Sequence, residues 1–280
     1  MKQTRLVTNG IVAMGAKTLR KKIPLTAIVV TYNEARRLRD CLESLAFCDQ
    51  LLVVDLGSAD ESIRIAQECG AEVFCHDWVP FVERVLRYAL SFARNDWILR
   101  FDPDNAFPKT LVNDLMPSFI QTHVAIVGLP YQYYFLGKPL RTTIWGGKRM
   151  MMSKLFHKDR VVIRPYVHQA LQCKPGYSQI NVEPLGDYAI QHFWVDSFQQ
   201  LFEKHRRYLR YEGESRYGTG QRFSWFKMVN NTLWSLGANL IYHRGLFGGF
   251  TGIFLSFYHS WYVCMGWLSL REYERNLPGR

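Results

Sequence analysis

The sequence predicts an α/β fold, a mainly parallel sheet with helices on both faces. Three observations carry that expectation. Short apolar strands alternate with helix-patterned segments from Pro24 to about residue 105. The strands read as continuous apolar runs, as parallel strands covered on both faces must. Polar residues collect where each strand stops, and in an open α/β sheet ligands gather beyond the carboxyl ends of the strands.

Residues 1–23 are a basic leader without the apolar stretch and cleavage site of a secretory signal. The first strand is residues 25–30, a β-branched run that stops at Thr31-Tyr32-Asn33-Glu34. Residues 35–45 have helical periodicity, with Leu38, Cys41, Leu42 and Leu45 on one face. Residues 50–55 (QLLVVD) form a second strand, closed by Leu56-Gly57-Ser58-Ala59-Asp60. Ser58 or Asp60 can cap the next helix, whose apolar residues Ile63, Ile65, Ala66 and Cys69 run out at Gly70. A third strand at 71–75 and a third helix at 81–93 precede a fourth strand, WILRF, at 97–101. Beyond it the pattern predicts a short helix at 111–116 stopped by Pro117, a strand at 124–129 and an aromatic passage at 131–137. Residues 138–190 are irregular and basic, with strand-like pieces near 154–157 and 161–164. At about residue 195 the character changes. Residues 197–211 read as a basic helix with Lys204, Arg206, Arg207 and Arg210, followed by aromatic amphipathic stretches at 223–242 and 247–270.

The 280 residues suffice for one large domain, or a domain with an appendage. A net charge of +11 favours anionic partners such as nucleotide phosphates or an acidic membrane surface. No nucleic-acid module is present, so nucleic acid is not expected as a partner. The six cysteines show no CxxC pair and no zinc spacing, and read as reduced thiols of a cytosolic protein. With no GxGxxG, P-loop lysine or HExxH, dinucleotide, P-loop and zinc-protease readings have no direct support.

The fourth strand ends in Asp102-Pro103-Asp104. Two hard oxygen ligands at a strand end suit Mg²⁺ or Mn²⁺, whose remaining positions substrate phosphates commonly fill. Asp and Pro are also ordinary turn residues, so a plain strand-end turn is the alternative.

Three stretches taken together resemble the nucleotide-sugar domain of family 2 glycosyltransferases, in particular the lipopolysaccharide-core type. They are TAIVVTYNEARRLRDCLESL, LLVVDLGSADESIRIAQECGAEVF and NDWILRFDPDN, in that order and each at a strand end. The resemblance covers residues 24–110 well and the rest more loosely. It implies a GT-A type domain over residues 24–195, a nucleotide-sugar donor with a UDP-sugar first, and a divalent metal. By position it implies that Thr31, Tyr32, Asn33 and Glu34 line the nucleoside pocket, with Asp55 on the base or ribose and Ser58 in the same loop. Asp102 then bridges the ribose and the metal, and Asp104 binds the metal. The implied reaction is an inverting displacement in which a base takes the acceptor's proton.

The chain departs from the pattern at that base. The resembled type has a His-Glu pair where this sequence reads His168-Gln169, and Gln169 takes no proton. Either His168 or a carboxylate such as Asp187 acts instead, or the chain is a weak or silent transferase. The family's Gln-Lys-Asn is missing from the third helix, where Arg84 or Arg87 stands as a phosphate contact or simply as a solvated helix charge. His192 matches a later family histidine, a metal or diphosphate neighbour.

Residues 196–280 are expected to form a basic, aromatic, helical membrane-association region. Residues 250–270 hold no charge over a length that can span a bilayer, yet carry Thr251, Ser256, His259, Ser260 and Ser269. In-plane attachment, a span and a buried helix pair are the three alternatives, the first preferred. The expected location is the inner face of the cell membrane, peripheral or monotopic, with a lipid-linked or lipopolysaccharide-like glycan as acceptor. Rival readings are a silent scaffold in a glycan-assembly complex and another nucleotide-using transferase.

Overall fold

The computed structural model describes residues 22–112, 122–146, 150–167, 171–183 and 189–277. Most of the leader, and most of the helix expected at 111–116, lie outside these residues.

The apolar runs form β1 (Ile23–Thr31), β2 (Cys48–Asp55), β3 (Glu72–Cys75) and β4 (Trp97–Phe101). They lie side by side in the order β3-β2-β1-β4, all parallel. Thr31 stands opposite Asp55 and Val29 opposite Phe101, so the strands stop at a common edge. Helix α1 (Ala35–Ser44) buries Leu38, Cys41 and Leu42 against this sheet, and α2 (Ser62–Glu68) buries Ile65 and Ala66.

The expected third helix is shorter than its periodicity predicts. A 3₁₀ turn occupies Val82–Arg84 and α3 only Leu86–Leu90. The tighter turn sets Glu83 against Arg100 of β4, Nη1 to Oε1 3.0 Å, with both side chains mostly buried.

Past β4 the sheet turns mixed. The remaining strands are β5 (Asn105–Ala106), β6 (Val124–Phe135), β7 (Lys138–Pro139), β8 (Met150–His157), β9 (Val161–Val162), β10 (Gln172–Cys173), β11 (Ser178–Asn181) and β12 (Ile190–Val195). The main path continues β4-β8-β6-β12-β5, with β8 antiparallel to both β4 and β6. Strand β6 runs six residues past the end expected for it. Its aromatic continuation pairs with β12, Tyr131 opposite Ile190 and Tyr133 opposite His192, so the aromatics serve as strand formers rather than as a loop. Strand β12 itself falls largely past a stretch whose periodicity predicts no element.

Three helices follow: α4 (Phe198–Gly218), α5 (Trp225–Gly237) and α6 (Gly249–Arg275). Ser197 caps α4, its Oγ accepting from the Gln200 amide at 3.1 Å. A π-helical turn, Ala238–Tyr242, extends α5. Leu201 of α4 and Leu255 and Tyr258 of α6 join the core beneath the sheet, so these helices pack as part of the fold. No helix among the described residues is long and apolar enough to cross a membrane. The spanning alternative for residues 250–270 is thereby excluded, because the hydroxyls and His259 dilute the apolar run. The buried-pair alternative also fails on one side, since Phe226, Trp234, Phe247 and Phe250 stand more than three-quarters exposed.

Helices α4 and α6 touch at Gly213, where a Cβ would meet the Ser269 carbonyl oxygen at 2.3 Å. Gly213→Ala is expected to cost about 1–3 kcal/mol of stability by forcing these helices apart, read by urea denaturation against wild type.

Candidate active site

The common edge of β1, β2 and β4 starts three loops together, and the first two are tied to each other. The Asn33 amide donates to Ser58 Oγ at 2.9 Å, and the Ala59 amide donates back to Asn33 Oδ1 at 2.8 Å. Asn33 takes the left-handed φ of 54° that this exchange needs, a conformation Asn tolerates better than most. Ser62 Oγ accepts from the Glu34 amide at 3.0 Å, and Asp60 Oδ2 from the Ala35 amide at 3.0 Å. The first turn of α1 is thus capped from the start of α2. Asp60 Oδ1 also takes the Ser62 amide, so of the two expected caps Asp60 serves both helices, while Ser58 holds Asn33 instead. Asp55 Oδ2 accepts from the Gly57 and Ser58 amides, both at 2.9 Å, and its Oδ1 is buried without a partner.

A cavity of about 570 Å³ opens at this edge, and Thr31, Tyr32, Glu34, Asp102, Asp104 and His192 are on its wall. Asn33, Asp55 and Ser58 lie behind it, shaping the loops. Arg84 and Arg87 are elsewhere. Arg84 pairs with Glu214 at 2.9 Å between the rings of Phe81 and Tyr211, and Arg87 donates to the Ile163 carbonyl at 3.2 Å. Neither is on the cavity wall. His168, Gln169 and Asp187 lie outside the described residues.

Each carboxylate of the Asp-x-Asp pair faces an ammonium group. Lys154 of β8 reaches Asp102 Oδ2 at 2.7 Å, and Lys204 of α4 reaches Asp104 Oδ2 at 3.2 Å. His192 Nδ1 lies 2.5 Å from Asn105 Oδ1 and 3.2 Å from Asp104 Oδ1. Burial pushes the Asp102 carboxyl up, but Lys154 more than offsets it and leaves the group below its ordinary value. Burial likewise opposes ionisation of Asp104, and His192 and Lys204 hold it well below the usual carboxylate range. Burial, with Arg100 close by, lowers Lys154. Burial also opposes the charge on Lys204, yet Asp104 raises it well above the lysine norm. Both aspartates are therefore ionised, as metal ligands must be.

Among the described residues no three His, Cys, Asp or Glu side chains gather into a closed metal site. The pair of carboxylates still suits a hard divalent cation, because Asp104 Oδ1 is buried and makes no well-aligned hydrogen bond, its one polar neighbour being the His192 ring at 3.2 Å. A cation held by two carboxylates and completed by phosphates needs no third protein ligand.

Periodicity and motifs did not single out several residues on this wall, among them Arg100, Trp145, Lys154 and Trp194. Lys154 had a signal, a lone lysine in the apolar strand MMSKLFH, where an unpaired charge is costly. Trp145 sits in a loop with no periodicity, and its ring lies 4.6 Å from that of Trp194.

A parallel half-sheet with a cavity at its carboxyl edge is where an α/β sheet holds a ligand, and here the Asp-x-Asp pair enters that cavity. The chain belongs to glycosyl transferase family 2, whose model matches residues 26–173. It is similar to a Rickettsia felis protein described as an uncharacterized glycosyltransferase, 25% identical over 81% of this chain and 82% of that protein. It is also similar to the lipopolysaccharide core biosynthesis glycosyltransferase LpsC of Rhizobium meliloti, 23% identical over 74% of this chain and 77% of LpsC. Among solved structures, S. aureus TarS (residues 1–349) aligns with a TM-score of 0.46 at 14% identity, covering 91% of this chain and 93% of that one. The M. tuberculosis glucosyl-3-phosphoglycerate synthase with Mn²⁺, UDP and its product aligns at 0.34 and 18% identity, over 44% of this chain and 51% of the synthase. Both structural likenesses are distant, and neither assigns a ligand to this chain.

Glu34 lends the site a pH dependence. Its carboxyl is pushed up to about 7 by burial, with the Asp104 charge adding to the push. Between the ordinary carboxylate range and that value the folded chain keeps a proton the unfolded chain has lost. Stability from this group is therefore full at low pH and falls as pH rises. Glu34→Gln cannot ionise, so it is expected to be more stable than wild type by on the order of 1–2 kcal/mol at about pH 8, with no such gain at about pH 4, measured by urea denaturation.

Proposed function

We propose that this glycosyltransferase uses a divalent metal to move a sugar, with inversion, from a nucleotide donor to a lipid-linked or lipopolysaccharide-like glycan at the inner face of the cell membrane. The observation that carries the reading is the entry of Asp102 and Asp104 into the same cavity as Thr31, Tyr32 and Glu34. On this reading residues 24–195 hold the donor and residues 196–280 meet the membrane. Thr31, Tyr32 and Glu34 face the nucleoside, while Asn33 and Ser58 fix the loop that presents them. Asp55, behind the cavity, holds the Gly57 and Ser58 amides of the loop that faces the base or ribose, and a UDP-sugar is the first donor to try. Asp102 and Asp104 hold Mg²⁺ or Mn²⁺, with His192 orienting Asp104 from the side. The bound ion supplies positive charge where the nucleoside diphosphate departs. The acceptor's proton goes to His168 or Asp187, the candidates the sequence offers.

Support for the membrane location comes from charge and exposure together. From Ser215 to Arg271 the chain has no Asp or Glu, while Arg222, Lys227, Arg244 and Arg271 are spread along it. The outer face of α5 and the start of α6 expose Phe226, Trp234, Tyr242, Phe247 and Phe250. Cationic, aromatic and lying across the surface, this face suits the headgroup level of an anionic leaflet.

Two outcomes are expected. Wild-type protein given a panel of nucleotide sugars with Mn²⁺ should release nucleoside diphosphate from at least one, and Asp104→Ala should lower that rate ~100-fold or more. If no nucleotide sugar yields nucleoside diphosphate, the transferase reading fails. Separately, Trp234→Ser with Phe247→Ser should weaken sedimentation with phosphatidylglycerol vesicles ~10-fold or more, since each aromatic gives up apolar burial. Binding unchanged by that double substitution would sink the membrane assignment.

A further inference from the structure

The two lysines at the Asp-x-Asp pair come from remote parts of the chain, and each makes its close ion pair with one of these aspartates. Lys154 is placed by β8 and its side chain is 7% exposed. Lys204 is placed by α4, where its Nζ also donates to the Trp194 carbonyl at 3.4 Å. One turn further along α4, Arg207 lines the same cavity with its Nε buried and unpartnered. The two aspartates and two lysines cancel one another, and Arg207 adds a further positive charge on the same wall. Paired ions inside a protein are tolerable, whereas removing one partner leaves a buried charge unanswered.

That balance constrains how ligands enter. A divalent cation arriving alone takes the carboxylates and strands two ammonium groups. A diphosphate arriving alone meets two carboxylates that are already satisfied. Arriving together they add charges of about +2 and −2, and the net charge of the site is unchanged if the lysines change partners. Lysine suits such a change, being a compact point charge on a flexible stem.

Resting on the nucleotide-donor reading above, we propose that Lys154 and Lys204 are exchangeable counter-ions. They hold Asp102 and Asp104 in the free protein and turn to the donor's diphosphate when a cation takes the carboxylates. Arg207 stands ready as a further donor on the same side. The exchange makes metal and diphosphate binding strongly and reciprocally cooperative. It also makes the C-terminal helix α4 part of the donor site, through Lys204.

Titration calorimetry on the full chain tests this with Mn²⁺ alone, inorganic pyrophosphate alone, and each in the presence of the other, subtracting their affinity in solution. In wild type, Mn²⁺ should bind at least ~10-fold more tightly with pyrophosphate present than without it. In Lys154→Met and Lys204→Met, Mn²⁺ alone should bind more tightly than in wild type, because no ammonium competes, and the cooperativity should fall ~10-fold or more. Lys204→Arg keeps the charge and should retain cooperativity, which guards against a variant that merely folds poorly. Methionine variants that bind Mn²⁺ alone no better than wild type, with cooperativity unchanged, would overturn the exchange and leave the lysines as structural ion pairs. These readouts need no turnover. Cooperative binding with no nucleoside diphosphate release from any nucleotide sugar defeats the transferase reading alone, and turnover without cooperativity defeats the exchange alone.

Discussion

Two carboxylates carried into a cavity one residue apart repel each other, and much of the structure answers that charge. Lys154 arrives on β8, inserted antiparallel between β4 and β6. Lys204 arrives on α4, after the chain has crossed the whole sheet. His192 arrives on β12, clamped to Asn105 just past the pair. The mixed half of the sheet and the first C-terminal helix are thus more than cover for the parallel half. They bring the counter-ions without which two ionised aspartates could not be buried together.

This explains what was legible in the sequence and what was not. The parallel half was legible because each strand is a continuous apolar run and each stop is polar, so β1, β2 and β4 and the residues at their ends could be placed in order. Asp102 and Asp104 stood out for the same reason. Lys154 and Lys204 pair with them over separations of 52 and 100 residues, a relation that no local period records. The expected third helix carried a correct apolar spacing and still broke into a 3₁₀ turn and a short helix, with the Glu83–Arg100 pair at the turn. Strand β12 was missed although Pro184, Gly186 and Asp187 precede IQHFWV and Asp196-Ser197 follows it, because Gln191 and His192 interrupt its apolar run.

The C-terminal helices show how one segment meets two demands. The inner face of α6 buries Leu255, Tyr258 and Leu270, while α5 and the start of α6 turn large aromatics outward. A helix read from its mean composition looks uniformly aromatic, and only the packing separates the residues that finish the core from those left for a partner. The same separation runs along α4, with Leu201 in the core and Lys204 in the cavity.

The cross-bonded loops at the ends of β1 and β2 have a consequence of a different kind. Asn33, Ser58, Asp60 and Ser62 hold the two loops to each other through hydrogen bonds of 2.8–3.0 Å, with no ligand involved. On the proposed reading, a nucleoside entering between Thr31, Tyr32 and Glu34 would meet loops whose shape is fixed without it, so little conformational freedom would be left to lose on binding. Residues such as Ser58 can therefore influence affinity without touching the ligand, through the rigidity of the surface they hold in place.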